Sequence, residues 1–242
     1  MFEPELLSAL RSAQRVVVLT GAGISAESGV PTFRDALTGL WSNFKPEELA
    51  TPGAFLRNPK MVWEWYALRR QLTAQVTPNP GHFALAEMER RVPHFALITQ
   101  NVDGLHQRAG SRQVTELHGN IGRVKCFEEN TCVSAWDETT VPPRCPHCGS
   151  WLRPDVVWFG ELLPEEAREA ASGASANAEV FLSIGTSALV YPAADLPLEA
   201  LRHGAVLVEV NTEETPLTRR AKFSLRGPSG RVLPELVRAV WP

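Results

Sequence analysis

Residues 99–119, TQNVDGLHQRAGSRQVTELHG, gather Gln100, Asn101, Asp103, His106 and His118 beside apolar runs. Carboxamides donate and accept hydrogen bonds, a carboxylate accepts them, and an imidazole exchanges a proton near neutral pH. Such a set can orient a polar ligand and move a proton. A surface loop needs neither, and a second stretch eighty residues earlier supplies the context.

That stretch is VVVLTGAGISAESGVPTFRD. Gly21 and Gly23 allow a sharp turn and the close approach of an anion, and Ala26 stands at the third small position of a G-x-G-x-x-G/A fingerprint. A helix starting here would offer unpaired N–H groups to a pyrophosphate. The glycines alone are weak evidence, because glycine also ends strands for ordinary turn reasons. A hydride-transferring dinucleotide enzyme should place Asp or Glu at a strand end about twenty residues further on. Here that position falls in LWSNFKPEE, which does not read as a strand end. Instead, Arg34 and Asp35 follow Phe33 in a loop stiffened by Pro31. This loop is suited to covering a ligand and reaching its reactive end.

Cys126, Cys132, Cys145 and Cys148 lie within 23 residues. In a reducing compartment such clustering suggests a metal before it suggests disulfides. Cys145-Pro-His-Cys148 is a regular knuckle, whereas five residues separate Cys126 from Cys132. The longer loop can still close on zinc without preformed geometry, His147 could substitute as a ligand, and a metal-free remnant is the alternative. A thiolate-saturated zinc has no open position, so its role would be structural.

The elements that must carry these residues follow from periodicity. RVVVLT (15–20), FALITQ (95–100), EVFLSIG (179–185) and AVLVEVN (205–211) are apolar runs ending in small or polar residues. Runs apolar on both faces suit a parallel sheet covered by helices. Helices are predicted over 4–13, 82–91, 165–172 and 231–240, with AREAASGASANAE read as a helix end plus loop. This alternation predicts an α/β, doubly wound parallel sheet. Two segments interrupt it: the Trp-rich, helix-like 41–74 and the cysteine-bearing 121–154, read as insertions that together form a smaller module.

The composition bounds the partners. In a 242-residue chain, 44% hydrophobic and 21% charged residues are ordinary for a globular protein. A formal net charge of -3 gives no general attraction to nucleic acid or anionic lipid, so neither is expected as a partner. No apolar run approaches the roughly 20 residues that span a bilayer. MFEPELLSALRSAQR lacks the layout of a signal peptide, which leaves a cytoplasmic location as the default expectation.

Six stretches, in order, resemble the sirtuins, a family of NAD-dependent protein-lysine deacylases: GAGISAESGVPTFRD (21–35), TQNVDGLHQRAG (99–110), LHG (117–119), RPDVVWFGE (153–161), GTS (185–187) and VEVN (208–211). The resemblance implies a Rossmann-like NAD-binding domain of residues 1–40, 75–120 and 155–242. The helical 41–74 and the zinc-ribbon-like 121–154 would form the small domain, with NAD in the cleft between. It implies that Gly21, Ala22, Gly23, Ala26 and the segment through Arg34 contact the diphosphate and riboses, and that Phe33 shields the anomeric carbon. Gln100 and Asn101 would bind the nicotinamide ribose, and Asp103 the carboxamide. Gly185, Thr186 and Ser187 would take phosphate and ribose, with Asn211 near the adenosine ribose. LRGPSGRVLP, which carries Ser229, resembles the adenine-contacting loop. His118 would be the general base: the acyl-lysine carbonyl oxygen attacks C1′ as nicotinamide leaves, and His118 deprotonates the ribose so that its 2′-oxygen can attack in turn. His106 is read as structural.

The resemblance also implies an acylated-lysine protein or peptide added as a strand at VVWFGE, with Val157 and Phe159 as walls of a lysine tunnel. Tyr66-x-x-Arg69 matches sirtuins that remove succinyl and malonyl groups, since residues at i and i+3 share a helix face and a guanidinium grips a carboxylate. Ala50 would leave room for the longer acyl chain. In isolation the pair also reads as a packed aromatic beside a solvated arginine. Other uses of the same cleft are an NAD hydrolase or ADP-ribosyl transferase, or a non-catalytic NAD-sensing module.

Overall fold

The computed structural model describes residues 2–30, 49–137 and 139–242. Strand β1 (Arg15–Thr20) is buried at every position after Arg15, as a central strand must be. It pairs in parallel with β2 (His94–Thr99) on one side and β7 (Val180–Ile184) on the other. Strands β3 (Val114–Glu116), β8 (Val206–Asn211) and β9 (Phe223–Arg226) complete a six-stranded sheet of order β3-β2-β1-β7-β8-β9. Every pairing in it is parallel.

Period-two alternation divides β1 between two cores. Val16 and Val18 join Leu6 and Leu10 of α1 (Pro4–Ser12), Leu85 and Met88 of α5 (Pro80–Arg91), and Leu233 and Leu236 of α9 (Ser229–Val240). Val17 and Leu19 face the other way, onto Ala171 of α7 (Glu165–Ala176) and Leu196 and Ala200 of α8 (Leu196–Arg202). Each fully buried aliphatic side chain contributes roughly 1.5–3 kcal/mol, so the two faces anchor the strand whose tip carries the glycine turn. Helix α5 starts sharply because Asn79 accepts from the Gly81 amide, the His82 ring accepts from the Asn79 amide, and Pro80 presets the first turn.

The small module pairs helices with a second sheet. Helices α3 (Pro52–Arg57) and α4 (Pro59–Gln75) pack on antiparallel β5-β4-β6, formed by Cys132–Val133, Gly119–Cys126 and Leu152–Val156. Phe55, Trp65, Tyr66, Ile121, Val156 and Trp158 make one core there, and Trp63, Val124, Cys126, Cys145 and Leu152 another. Strand β4 begins one residue after His118, so this module is built directly onto the polar loop. No helix among the described residues is long and apolar enough to cross a membrane.

Two sequence expectations change. Helix α7 does not stop at 172 but continues through Gly173 to Ala176, because Ala171 and Ser175 face the core and the Ser175 hydroxyl donates back to the Ala171 carbonyl at 2.7 Å. Ser229 opens α9 instead of lying in a loop, and it is buried with its hydroxyl 3.5 Å from Glu27 Oε1.

Candidate active site

The tips of β1, β2 and β7 lie level, since Thr20 is in register with both Thr99 and Ile184. From β1 the chain steps outward through β2 to β3, then crosses back to β7 on the other side of β1, and this switch in strand order opens a crevice at the carboxyl ends. Gly21 caps α2 (Ala22–Ala26), and its amide donates to the Ile184 carbonyl at 3.0 Å. The Gly23 amide donates to the Gly185 carbonyl at 2.8 Å. A Cβ on Gly23 would stand 2.7 Å from the Gly185 Cα, and Gly185 itself has φ +59. No other residue fits this contact. Ala22, Gly23 and Ala26 are exposed, leaving that surface open to a ligand.

The opposite lip is held as firmly. Gln100 Nε2 donates to Thr186 Oγ1 at 3.1 Å, and Asn211 Nδ2 donates to the Thr186 carbonyl at 2.9 Å. Ser187 is exposed beside them. Six of the residues expected at a dinucleotide therefore meet across the tips of β1, β2, β7 and β8. Phe33 and Arg34 lie outside the described residues.

Behind this lip is a half-buried polar knot that sequence reading only half found. Asn101 Nδ2 donates to the Gly21 carbonyl at 3.0 Å and to Ser25 Oγ at 3.2 Å. Ser25 Oγ donates in turn to Asp103 Oδ2 at 2.7 Å, while the Leu105 amide holds Oδ1 at 2.9 Å. Burial pushes the Asp103 carboxyl up, against these two hydrogen bonds. Ser25, 1% exposed, joins the glycine turn to the polar loop, and it was not expected as a site residue. Its signal was present only as a serine inside GAGISAESG, where a cap or turn role is the commoner reading.

His118 Nδ1 lies 3.0 Å from the Gln100 carbonyl. A carbonyl can only accept, so Nδ1 carries the proton and Nε2 keeps its lone pair. Burial lowers the imidazole below its ordinary value, and the Gln100 carbonyl opposes this. The result is a neutral, oriented imidazole. His106, read as structural, is buried with Nε2 2.9 Å from Thr20 Oγ1.

The segment after β6 ties this histidine to the small module. The Val157 amide donates to the His118 carbonyl and the Phe159 amide to the Ala50 carbonyl, each at 2.9 Å. Buried Arg153 pairs with Glu161, which also accepts from the Trp158 amide at 2.7 Å. Trp158 Nε1 donates to the Tyr66 hydroxyl at 3.0 Å. Burial pushes that phenol up to about 12, so it stays protonated. On the same helix face, the Arg69 guanidinium lies 4.9 Å from the Trp65 ring centroid and 5.6 Å from that of Tyr66. Val157 is half-buried and Phe159 exposed.

Cys126, Cys145 and Cys148 come together, but the fourth group near them is Glu129: the four ligand atoms lie within 4.8 Å of one another. A tetrahedron with zinc bonds of about 2.0–2.3 Å has edges of about 3.3–3.8 Å. The Cys126–Cys148 sulfur separation of 3.4 Å and the Cys145 Sγ–Glu129 Oε2 distance of 3.9 Å are close to that, so the donor set fits zinc. Cys132, expected as a ligand, is not in this group; its sulfur lies 3.8 Å from Asp155 Oδ2. Burial, then Asp155, raises its thiol above the usual range.

Comparison with known proteins agrees with this geometry. The model of the Sir2 family matches residues 21–192. An NAD-dependent protein deacylase of Aquifex aeolicus is 59% identical over 215 residues, covering 87% of this chain and 89% of that protein. A Sir2 homologue solved with NAD superposes with a TM-score of 0.92 at 48% identity, over 99% of this chain and 94% of the other. A Sir2 protein bound to an acetylated peptide gives 0.88 at 34% identity, over 98% of each.

Proposed function

The chain belongs to the Sir2 family, and from that premise we propose that it removes acyl groups from protein lysine side chains in an NAD-dependent reaction yielding nicotinamide, O-acyl-ADP-ribose and free lysine. The relatives named as NAD-dependent protein deacylases support the class of reaction. The observation that carries its assignment to this cleft is the bond from His118 Nδ1 to the Gln100 carbonyl.

NAD, when bound, supplies an electrophilic ribose carbon and the acceptor for the acyl group. The chain's residues do the rest. Gly21, Gly23 and Gly185 let the backbone approach the diphosphate, and Thr186 and Ser187 present hydroxyls to it. Gln100 and Asn101 orient the nicotinamide ribose, while Asp103 receives the carboxamide. His118 Nε2 takes a proton from a ribose hydroxyl, favoured because the ring is neutral at pH 7 and fixed in one tautomer. The acylated lysine reaches this point past Val157 and Phe159.

The acyl chain extends toward Tyr66 and Arg69, and the reading includes succinyl- and malonyl-lysine beside acetyl-lysine. A protonated phenol and a guanidinium one turn apart on α4 suit a terminal carboxylate, and Ala50 presents little bulk beside Phe159. The test is to incubate the protein with NAD and acetyl-, malonyl- or succinyl-lysine peptides and follow products by mass spectrometry. Nicotinamide and O-acyl-ADP-ribose should form only when NAD and acyl peptide are both present. Free ADP-ribose made equally fast without peptide would instead indicate an NAD hydrolase.

A further inference from the structure

We propose that the metal of the small module is held by Cys126, Glu129, Cys145 and Cys148, and that Cys132 stands outside its coordination shell. The proposal does not depend on the deacylase reading, because it concerns only the small module that carries the cysteines.

Strand register is the first argument. Cys132 pairs directly with Lys125 across the β4–β5 hairpin, so the two side chains share a face. Cys126, the next residue along β4, faces the other way. Its own partner across the ladder is Thr131, whose carbonyl accepts the Cys126 amide at 2.9 Å. The face carrying Cys132 is occupied by an ionic cluster, with Asp155 bonded to Arg123 at 2.8 Å and lying 3.5 Å from Lys125. To bring the Cys132 sulfur to the Cys126 side, β5 would have to slip by one residue. That slip would turn buried Val133, part of the core with Val124 and Leu152, out to solvent.

Spacing is the second argument. Glu129 is the third residue after Cys126, just as Cys148 is the third after Cys145. A C-x2-C knuckle places its second ligand at that offset, so the first knuckle is complete with a carboxylate in place of a thiolate. The turn also shows the knuckle's own hydrogen bond, since the Glu129 amide lies 3.4 Å from Cys126 Sγ. A carboxylate oxygen is an accepted zinc donor, and with three thiolates it closes the site.

The 242-residue chain tests this after loading with Co2+, whose sulfur-to-metal charge-transfer band grows with the number of bound thiolates. Cys132→Ser should keep one metal per chain and the full band, whereas Glu129→Cys should raise the band by about a third. Glu129→Gln should hasten zinc release to a chelator at least about tenfold. Alkylation of the zinc-loaded wild type, mapped by peptide mass spectrometry, should label Cys132 alone. A loss of about a quarter of the band in Cys132→Ser, protection of Cys132 from alkylation, or a chain that takes up neither metal would overturn the assignment. The alkylation result needs no variant, so it holds even if a substitution impairs folding.

Discussion

A histidine acts as a base only while it is unprotonated, and the surroundings of His118 extend that range downward. Burial lowers its pKa below 6.5, and the Gln100 carbonyl reserves the Nδ1 proton, leaving Nε2 to react. The sign follows: the acid limb of kcat/KM should be centred below pH 6.5, the ordinary imidazole value, as the ring takes up a proton. An acid limb centred at pH 7 or above would count against His118 as the base. Arg69 has a comparably local test. Burial lowers its pKa from the ordinary guanidinium value, yet arginine remains charged at pH 7. Arg69→Met should therefore cut kcat/KM for succinyl-lysine peptide by about 1.5–3 kcal/mol, roughly 10- to 150-fold, and change acetyl-lysine turnover little. Equal losses on both peptides would remove the acyl-carboxylate role. At this scale the motifs pointed to side chains that the fold does gather behind the strand tips, as at Asn101, Asp103 and His118. It was a poor guide at Ser25 and Glu129, because one serine among turn residues and one acid among several carry no sign of what the fold will set beside them.

Elements impose what residues cannot. Helix α5 brings His82, and the short α6 (Leu105–Arg108) brings His106, until the two rings stand 4.9 Å apart behind Thr20 and Ser25. Burial holds His82 down at about 4; burial, then His82 itself, holds His106 down at about 3. In the unfolded chain both titrate near 6.5. The unfolded state thus binds more protons between these limits, so the stability contributed by neutral rings is complete above pH 6.5 and lost as pH falls. At pH 5 the loss is about 2 kcal/mol for each histidine. Urea unfolding at pH 7 and pH 5 should show it, and a His82→Gln/His106→Gln chain should lose less over the same interval; identical pH slopes would refute the linkage. The long strands and helices were legible because their burial period is written in the residues. Strands β3, β5 and β9, of three, two and four residues, are too short to show a period. The misplacement of Cys132 has the same origin, since cysteine spacing along the chain does not reveal which face of a two-residue strand each sulfur occupies.

Strand order belongs to the whole molecule, and no apolar run states its own neighbours. Only the assembled sheet shows that β1 and β7 are adjacent, and therefore that Gly23 and Gly185, far apart in sequence, must touch for the crevice to form. A Cβ at Gly185 would stand 2.5 Å from the Ile24 amide nitrogen and 2.8 Å from the Gly23 Cα. Neither is the end of a flexible side chain, so α2 would have to move away from β7. Gly204 provides the comparison: its φ of +88 is equally left-handed, but a Cβ there would meet no atom within 4 Å. Gly204→Ala should cost only backbone strain, about 1 kcal/mol, and should leave intact the rise in Tm that NAD confers by binding the folded state. Gly185→Ala should cost about 1–3 kcal/mol more through overpacking, and should abolish the NAD-dependent rise because the glycine turn that opens α2 is displaced. Thermal unfolding of both variants with and without NAD separates the effects. If Gly185→Ala melted like Gly204→Ala and responded to NAD as fully, the contact between the two strand tips would not be what shapes the binding crevice.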